Sequence, residues 1–223
     1  MKRSELNRVL TDAVAFFSDH QFFLPPWAFR TPDEWRRAGT ECAEIRDRHL
    51  GWDITDFGSG DFARRGLTLF TIRNGDLQNP QGKNYCEKIM IVRENQVTPC
   101  HYHKFKTEDI INRGGGTLVM ALWYADAAGR QSDRAVTVQC DGITRTFPAG
   151  EPIRLKTGES ITLEPQMYHC FHGENGTVLV GEVSKTNDDS TDNFFLEPVG
   201  RFPAIEEDVP PRYLLCNEYP ASR

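Results

Sequence analysis

The strongest constraint on the fold is a series of short strand-like segments separated by tight turns. From residue 66 onward, apolar and β-branched residues gather in runs of five to eight. The runs are LTLFTI (67–72), KIMIV (88–92), TLVMALWY (117–124), AVTVQC (135–140), SITLE (160–164) and TVLVGEV (177–183). Asn-Gly, Gly-Gly and Asp-Gly pairs separate several of them, and these pairs favour the turns that join antiparallel strands. The pattern predicts a mainly β fold, an antiparallel barrel or sandwich.

The first part of the chain has a helical pattern instead. Apolar residues recur at three- and four-residue steps from Leu6 to Phe17, which predicts an amphipathic helix over about 4–19. Thr31-Pro32-Asp33-Glu34 supplies an N-cap, a proline at the first helical position and a capping-box glutamate, so a second helix is expected to begin there. We therefore predict an N-terminal helical extension (1–60) packed on a barrel domain (61–223), with the tail from residue 202 wrapping over the barrel.

Composition limits the kinds of partner. The 223 residues suffice for one substantial domain with its own core. The formal net charge of −6 argues against nucleic acid and anionic membranes as partners, because both require a basic patch. The start of the chain lacks the apolar segment of a secretory signal, and no apolar run approaches the ~20 residues of a membrane span. A cytoplasmic protein with a small-molecule partner is the expectation. The six cysteines show no CxxC spacing, which is typical of reduced thiols.

Residues 101–108, HYHKFKTE, contain a candidate metal site together with His169 in QMYHCFHG. Alternate side chains of a strand share a face, so His101 and His103 can reach one ion, and a bend would bring in Glu108. Three imidazoles and one carboxylate suit Mn, Fe, Co, Ni or Zn better than calcium. Four protein ligands on an ion that accepts six would leave two open positions for a bidentate substrate.

A single His-x-His is often only a surface or hydrogen-bonded pair, so the context matters. Four of the six histidines lie in two clusters flanked by strand-like sequence: His101, His103, His169 and His172. His172 does not share the strand face of His169 and is left out of the metal set. Cys100 and Cys170 adjoin these histidines, and we interpret them as packing residues.

These residues resemble the motifs of the cupin superfamily. His101, His103, Glu108 and Gly115 match the pattern His-x-His-x4-Glu-x6-Gly, and Gly158 and His169 match the second motif. Two positions depart from the pattern. Asn95 replaces the opening glycine, although asparagine tolerates the left-handed conformation, and Glu164-Pro165-Gln166 stands where Pro-x-Gly is usual.

Two longer stretches resemble the D-lyxose isomerases of the cupin superfamily: EKIMIVRENQVTPCHYHKFKTEDIINRGGG (87–116) and EVSKTNDDSTDNFF (182–195). This resemblance implies a cupin barrel with N-terminal helices and a metal-dependent aldose–ketose isomerase. The implied cofactor is manganese, and the implied reactions interconvert D-lyxose with D-xylulose and D-mannose with D-fructose. A homodimer is expected from the resemblance only.

Isomerisation through a metal-stabilised enediol needs a base beside the two reacting carbons. The segment 173–176 predicts a turn that folds the strand 177–183 back on the strand of His169, which would place Glu182 on the face of His169. Partial desolvation can move the pKa of such a carboxylate into a working range for proton transfer. The alternative for Glu182 is a solvated strand carboxylate. Lys106 is a second catalytic candidate, able to donate to a sugar oxygen, although a lysine in a polar stretch is usually solvated.

Two further residues are candidates for substrate binding. Lys88 shares a face with Met90 and Val92 on a buried strand, where an unpaired ammonium is costly. The segment 187–193 is rich in groups that hydrogen-bond sugar hydroxyls, and Asp192 is the residue chosen from it. The same residue types also favour turns.

Two other functions use the same ligands. An iron-dependent cupin dioxygenase would bind oxygen at the open positions, although we expect a wet, polar pocket, which argues against it. A non-catalytic sugar-binding cupin would only hold metal and sugar. The residues leave open whether hydrogen moves as a proton through an enediol or as a hydride.

Overall fold

The computed structural model of the protein describes residues 1–221. The helices are α1 (Arg3–Asp19), α2 (Pro32–Arg37) and α3 (Ala43–Asp47), with single 3-10 turns at Pro26–Phe29 and Thr40–Cys42. The strands are β1 (Gly51–Thr55), β2 (Leu67–Arg73), β3 (Tyr85–Val92), β4 (Thr98–His103), β5 (Glu108–Tyr124), β6 (Val136–Cys140), β7 (Ile143–Phe147), β8 (Ile153–Leu155), β9 (Ser160–Leu163), β10 (Met167–Lys185) and β11 (Asn193–Phe195).

Two long strands organise the sheet. β5 and β10 pair antiparallel along nearly their whole length, from Met167 opposite Tyr124 to Ser184 opposite Glu108. Along its second half β10 also pairs with β3, and near its start it pairs with β4, so the two ends of β10 have different neighbours. The sheet order is β1-β2-β3-β10-β5-β9-β6-β7, with β4, β8 and β11 attached beside it. The predicted antiparallel cupin fold is confirmed.

The prediction of a turn at 173–176 is wrong, because β10 runs through this segment without reversing. Gly173 and Glu174 stay paired with β5, and the register shifts only after Glu174. The shift requires close approach of the two backbones: a Cβ at Gly115, which has φ +88°, would lie 2.1 Å from the carbonyl oxygen of Thr177. A glycine there permits a bulge in a continuous strand pair where the local sequence suggests a hairpin.

The two larger of three apolar clusters hold the sheet and α1 together. The first fills the barrel between its two layers and includes Met120, Leu122 and Ile161. The second lies between α1 and the outer face of β1, β2 and β3, where Leu6, Leu10 and Phe17 are buried. The predicted helix of about 4–19 therefore packs its apolar stripe on the sheet.

The N-terminal region also carries a strand. β1 lies inside the range 1–60 that the sequence assigned to a helical extension, and it pairs with β2 at the edge of the sheet. α2 begins as predicted, with Thr31 accepting from the amide of Glu34 in a capping box. The tail is tied to α1 by the buried Arg3, whose guanidinium binds Glu207 and Glu218.

Both departures from the cupin motifs keep the left-handed backbone that glycine normally supplies. Asn95 has φ +58° and Gln166 has φ +63°. The turn before β10 is fixed by the amide of Gln166, which donates to the carbonyl of His103 at 2.7 Å. All six cysteines are free thiols. Among the described residues, no helix is long and apolar enough to cross a membrane.

Candidate active site

Three histidines meet inside the barrel. His101 and His103 alternate on β4 and point to one face, and His169 of β10 pairs directly with His101. The ring centroids of His101 and His169 are 4.2 Å apart, and His103 lies 5.2 Å and 5.5 Å from these two rings. One nitrogen from each ring lies within 4.8 Å of the others. The predicted ligand set of three histidines therefore converges on one point.

Backbone contacts fix the tautomers of two of these rings. Nδ1 of His101 lies 2.9 Å from the carbonyl oxygen of Pro99, and Nδ1 of His169 lies 3.1 Å from that of Met167. A carbonyl oxygen only accepts, so each Nδ1 carries the hydrogen and each Nε2 presents a lone pair. Burial lowers the pKa of His169 to about 4 and that of His101 well below its usual value. Both rings are neutral near pH 7, the state that ligates metal.

Glu108 joins this group through the bend between β4 and β5. Its Oε1 lies 3.4 Å from Nε2 of His103 and 3.2 Å from Nε2 of His169. This buried oxygen has no hydrogen-bond partner among residues 1–221. Burial alone would raise the pKa of Glu108, but Lys106 and His103 hold it well below the usual range. A buried, ionised and unpartnered oxygen facing imidazole lone pairs fits a bound divalent cation.

A second charged group lies beside the histidines. Nζ of Lys106 is 2.9 Å from Oε2 of Glu108 and 2.9 Å from Oε1 of Glu182. Nζ of Lys88 lies 3.3 Å from the same Oε1, because Lys88 and Glu182 are directly opposite in the β3–β10 pair. The hydroxyl of Ser184 also donates to Oε1 at 3.0 Å. The structure thus brings Glu182, Lys106 and Lys88 together, and it leaves Oε2 of Glu182 without a partner in the described chain.

The pKa of Glu182 is set by burial and by two neighbouring ammonium groups. Burial raises its pKa, but Lys106 and Lys88 outweigh burial and lower the pKa below its usual value. The sequence predicted that desolvation moves this pKa into a working range for proton transfer, and the two buried ammonium groups act against the effect of desolvation. The pKa of Lys106 is raised: burial lowers it, and Glu108 and Glu182 more than compensate. Glu182 is therefore a carboxylate and Lys106 an ammonium near pH 7.

Asp192 does not line the cavity with these residues. Its carboxylate accepts from the backbone amides of Phe105 at 2.7 Å and Lys106 at 3.1 Å. Both oxygens are used to hold the bend between β4 and β5, so the prediction of Asp192 as a substrate ligand finds no support in its position. Its neighbour Asp189 lines the cavity instead.

Three residues near the lysines were missed by the sequence reasoning: Asn187, Asp189 and Arg201. Oδ1 of Asn187 accepts from both lysines, and its Nδ2 donates to Asp189. Arg201 pairs with Asp189 at 2.9 Å and also with Asp53. Asn187 and Asp189 belong to the polar segment 187–193, which the sequence analysis considered for sugar binding. Arg201 lies outside this segment, near the start of the tail, and the sequence around it gives no indication of a role in the site.

The histidines and lysines line a cavity of about 70 Å³. Apolar side chains line it as well: Leu67, Leu69, Met90, Ile110 and Phe171. The lining is therefore mixed, whereas the sequence predicted a wet, polar pocket. Asp189, Asn193, Phe195 and Arg201 also line a larger outer groove of about 660 Å³.

Comparison with known proteins agrees with this geometry. The sequence profile of the D-lyxose isomerase family matches residues 1–219. The chain belongs to the D-lyxose isomerase family. It is 52% identical over 223 residues to the D-lyxose/D-mannose isomerase of Serratia proteamaculans, and the match covers 98% of each chain. It is 50% identical to the D-lyxose/D-mannose isomerase of Escherichia coli O157:H7, again over 98% of each chain.

Among solved structures, the chain resembles the L-ribose isomerase of Cellulomonas parahominis, crystallised with L-ribose. The TM-score is 0.60 at 17% identity, covering 92% of this chain and 98% of that one. At this identity the likeness shows a shared fold. The family match makes this chain an isomerase, which confirms the predicted class of enzyme and does not favour the dioxygenase or the non-catalytic alternatives.

Proposed function

We propose that this member of the D-lyxose isomerase family is a metal-dependent ketol-isomerase that interconverts D-lyxose with D-xylulose and D-mannose with D-fructose. The names of the relatives at 52% and 50% identity support the two aldoses. One observation carries the proposal. The same cavity contains a Glu108 oxygen that faces the histidines without a hydrogen-bond partner and, beside it, the buried ion pair of Glu182 and Lys106.

In this proposal His101, His103, Glu108 and His169 hold one divalent ion, and we propose manganese. When bound, the ion polarises the oxygens on C1 and C2 of the sugar and stabilises negative charge that develops there. The neutral imidazoles of His101 and His169 and the ionised Glu108 provide ligands in the correct protonation state without a prior loss of protons.

Glu182 is proposed as the base. Its Oε1 already faces Lys106, Lys88 and Ser184, so Oε2 is the oxygen that can take the proton from C2 of the aldose and return it to C1. The hydroxyl proton of O2 passes to O1 in the same interconversion, which completes the ketose. Because the lysines lower its pKa, Glu182 is ionised before reaction and readily gives the proton back. Lys106 is proposed to donate a hydrogen bond to the oxygen that becomes negative, and Lys88 to bind substrate beside it.

The test is isomerisation of D-lyxose and D-mannose by the metal-loaded protein, with Glu182→Gln as the key variant. The amide keeps the size of the side chain but cannot act as base, so we expect metal content and fold to remain and turnover to fall by roughly 10²-fold or more. Glu174→Gln on the same strand is the matched control, because Glu174 pairs with Arg154 outside the cavity. Turnover of Glu182→Gln close to that of the control would remove Glu182 from the mechanism.

The predicted homodimer and the predicted cytoplasmic location stay predictions. Light scattering on the purified protein measures the first, since a monomer and a dimer differ twofold in mass.

A further inference from the structure

The side chain of Asn187 lies between opposite charges. Its Oδ1 accepts from Nζ of Lys88 at 2.8 Å and from Nζ of Lys106 at 3.2 Å. On its other side, Nδ2 donates to Oδ1 of Asp189 at 3.0 Å. The acceptor end of the amide thus faces two buried ammonium groups, and the donor end faces a carboxylate. This charge pattern fixes which atom is oxygen and which is nitrogen.

The backbone of Asn187 is held as firmly as its side chain. Oδ1 of Asn74 accepts from the amide of Asn187 at 2.9 Å, and Nδ2 of Asn74 donates to the carbonyl of Asn187 at 3.0 Å. Asn74 follows β2, so the position of Asn187 is set from the sheet. The position of Asn187 is therefore fixed independently of the polar loop that follows it.

Few other side chains fit this position. An apolar side chain would leave two buried ammonium groups short of an acceptor. An aspartate would face the carboxylate of Asp189 across about the 3.0 Å that separates Nδ2 from Oδ1 now, and like charges at that distance repel. A neutral amide satisfies both sides and adds no charge.

We propose that Asn187 is a positioning residue of the isomerase, which holds the ammonium groups of Lys88 and Lys106 on the same oxygen of Glu182. This inference rests on the proposed function for its effect on turnover. It does not require Asn187 to touch the sugar. Without Asn187, Lys88 and Lys106 keep their carboxylate partners but each loses one hydrogen-bond acceptor, so each ammonium group is held by fewer contacts.

The test compares Asn187→Leu with the wild type in two measurements on the same metal-loaded samples. The first is steady-state kinetics with D-lyxose. We expect kcat to fall by roughly 10- to 100-fold, because misplacing a catalytic group by about 1 Å can cost 10²-fold, while KM changes by much less. The second is competitive acylation of lysines, read by mass spectrometry, in which Lys88 and Lys106 become more reactive and the exposed Lys156 does not change.

Asp188→Ala is the matched control. Asp188 caps the same loop through Ser190 and Thr191 but does not contact either lysine. We expect it to leave kcat and the labelling of both lysines near wild type. If Asn187→Leu does not fold, Asn187→Ser removes the same contacts and takes its place.

Exchanging the residue types at positions 187 and 189 gives a third, independent test. Asn187→Asp alone places two carboxylates together and should lower kcat. Adding Asp189→Asn restores one donor and one acceptor between the two positions, while Arg201 keeps its pairing with Asp53. We expect the double variant to recover at least part of the lost kcat. A double variant no better than Asn187→Asp would contradict the positioning role.

The two hypotheses fail in different ways. Absence of isomerase activity in the wild type would overturn the proposed function, and the labelling would still report whether Asn187 holds the lysines. Unchanged labelling of Lys88 and Lys106 in Asn187→Leu overturns the inference, whatever the activity.

Discussion

Replacing Lys106 by methionine should expose how much the buried charges of the cavity depend on one another. The ammonium lies between Glu108 and Glu182, at 2.9 Å from an oxygen of each, and the side chains of all three are at most 6% exposed. Methionine keeps most of the volume but removes the cation, which leaves two buried carboxylates with one ammonium, Lys88, beside Glu182 only.

Removing one partner of a buried ion pair costs about 3–5 kcal/mol of folding free energy, because the remaining charge stays desolvated and uncompensated. For a chain of this size, each kcal/mol shifts Tm by about 2–4 °C, so the expected loss is on the order of 6–20 °C. Urea unfolding of the metal-free protein near neutral pH measures the free energy, thermal unfolding measures Tm, and both are compared with Lys83→Met. Lys83 pairs with Glu44 at the surface, with side chains 33% and 58% exposed, and such pairs contribute about 0–1 kcal/mol.

The pH dependence identifies the cause of the loss. In the wild type the pKa values of Glu108 and Glu182 are lowered, so their contribution to stability is present above the unfolded pKa and is lost as the pH falls. In Lys106→Met, burial dominates and raises the pKa of one carboxylate, which then takes a proton on mild acidification. The difference in free energy of unfolding between wild type and Lys106→Met should therefore become smaller as the pH is lowered from about 7.5 to about 5. A loss below about 1 kcal/mol, or a deficit that grows with acid, would refute this account.

Three further outcomes are expected. His103→Ala should lose most of its bound metal by elemental analysis, whereas His172→Ala, on the other strand face, should keep it; full occupancy in the first variant would remove His103 from the ligand set. The affinity for metal, measured by competition with a chelator, should fall much less from about pH 8 to 6 than at a site of three histidines with the ordinary pKa of about 6.5, which would lose on the order of 10²-fold, because the pKa values of His101 and His169 are lowered and these two rings stay neutral. Isomerisation of D-lyxose in heavy water should place deuterium at C1 of xylulose, as a base-mediated route requires; unlabelled product at partial conversion would favour hydride transfer or a shielded proton, and the rate of Glu182→Gln would then decide.

Much of the metal site could be predicted from the sequence because it depends on local geometry. Side chains two apart on a strand share a face whatever the strand pairs with, so His101 and His103 had to converge. The left-handed turn at Asn95 is equally local, since asparagine tolerates positive φ. The apolar stripe of α1 and the capping box at Thr31 follow from helical periodicity for the same reason.

The rest was decided by pairing between distant segments. The segment 173–176 has the residues of a hairpin turn, but β10 continues along its partner β5, and the missing side chain of Gly115 allows the two backbones to approach there. Glu182 still reaches the cavity, although the predicted route to it was wrong. The sequence of the polar segment after β10 gave no reason to prefer Asn187 over Asp192 as a site residue, because the two differ only in which groups surround their side chains in the folded protein. Asp192 faces backbone amides, and Asn187 faces two lysines that come from β3 and from the bend before β5. Charge acts through space rather than along the chain, so the sequence could name the charged residues of this cavity, while only the tertiary structure decides which of them meet and in which direction each pKa moves.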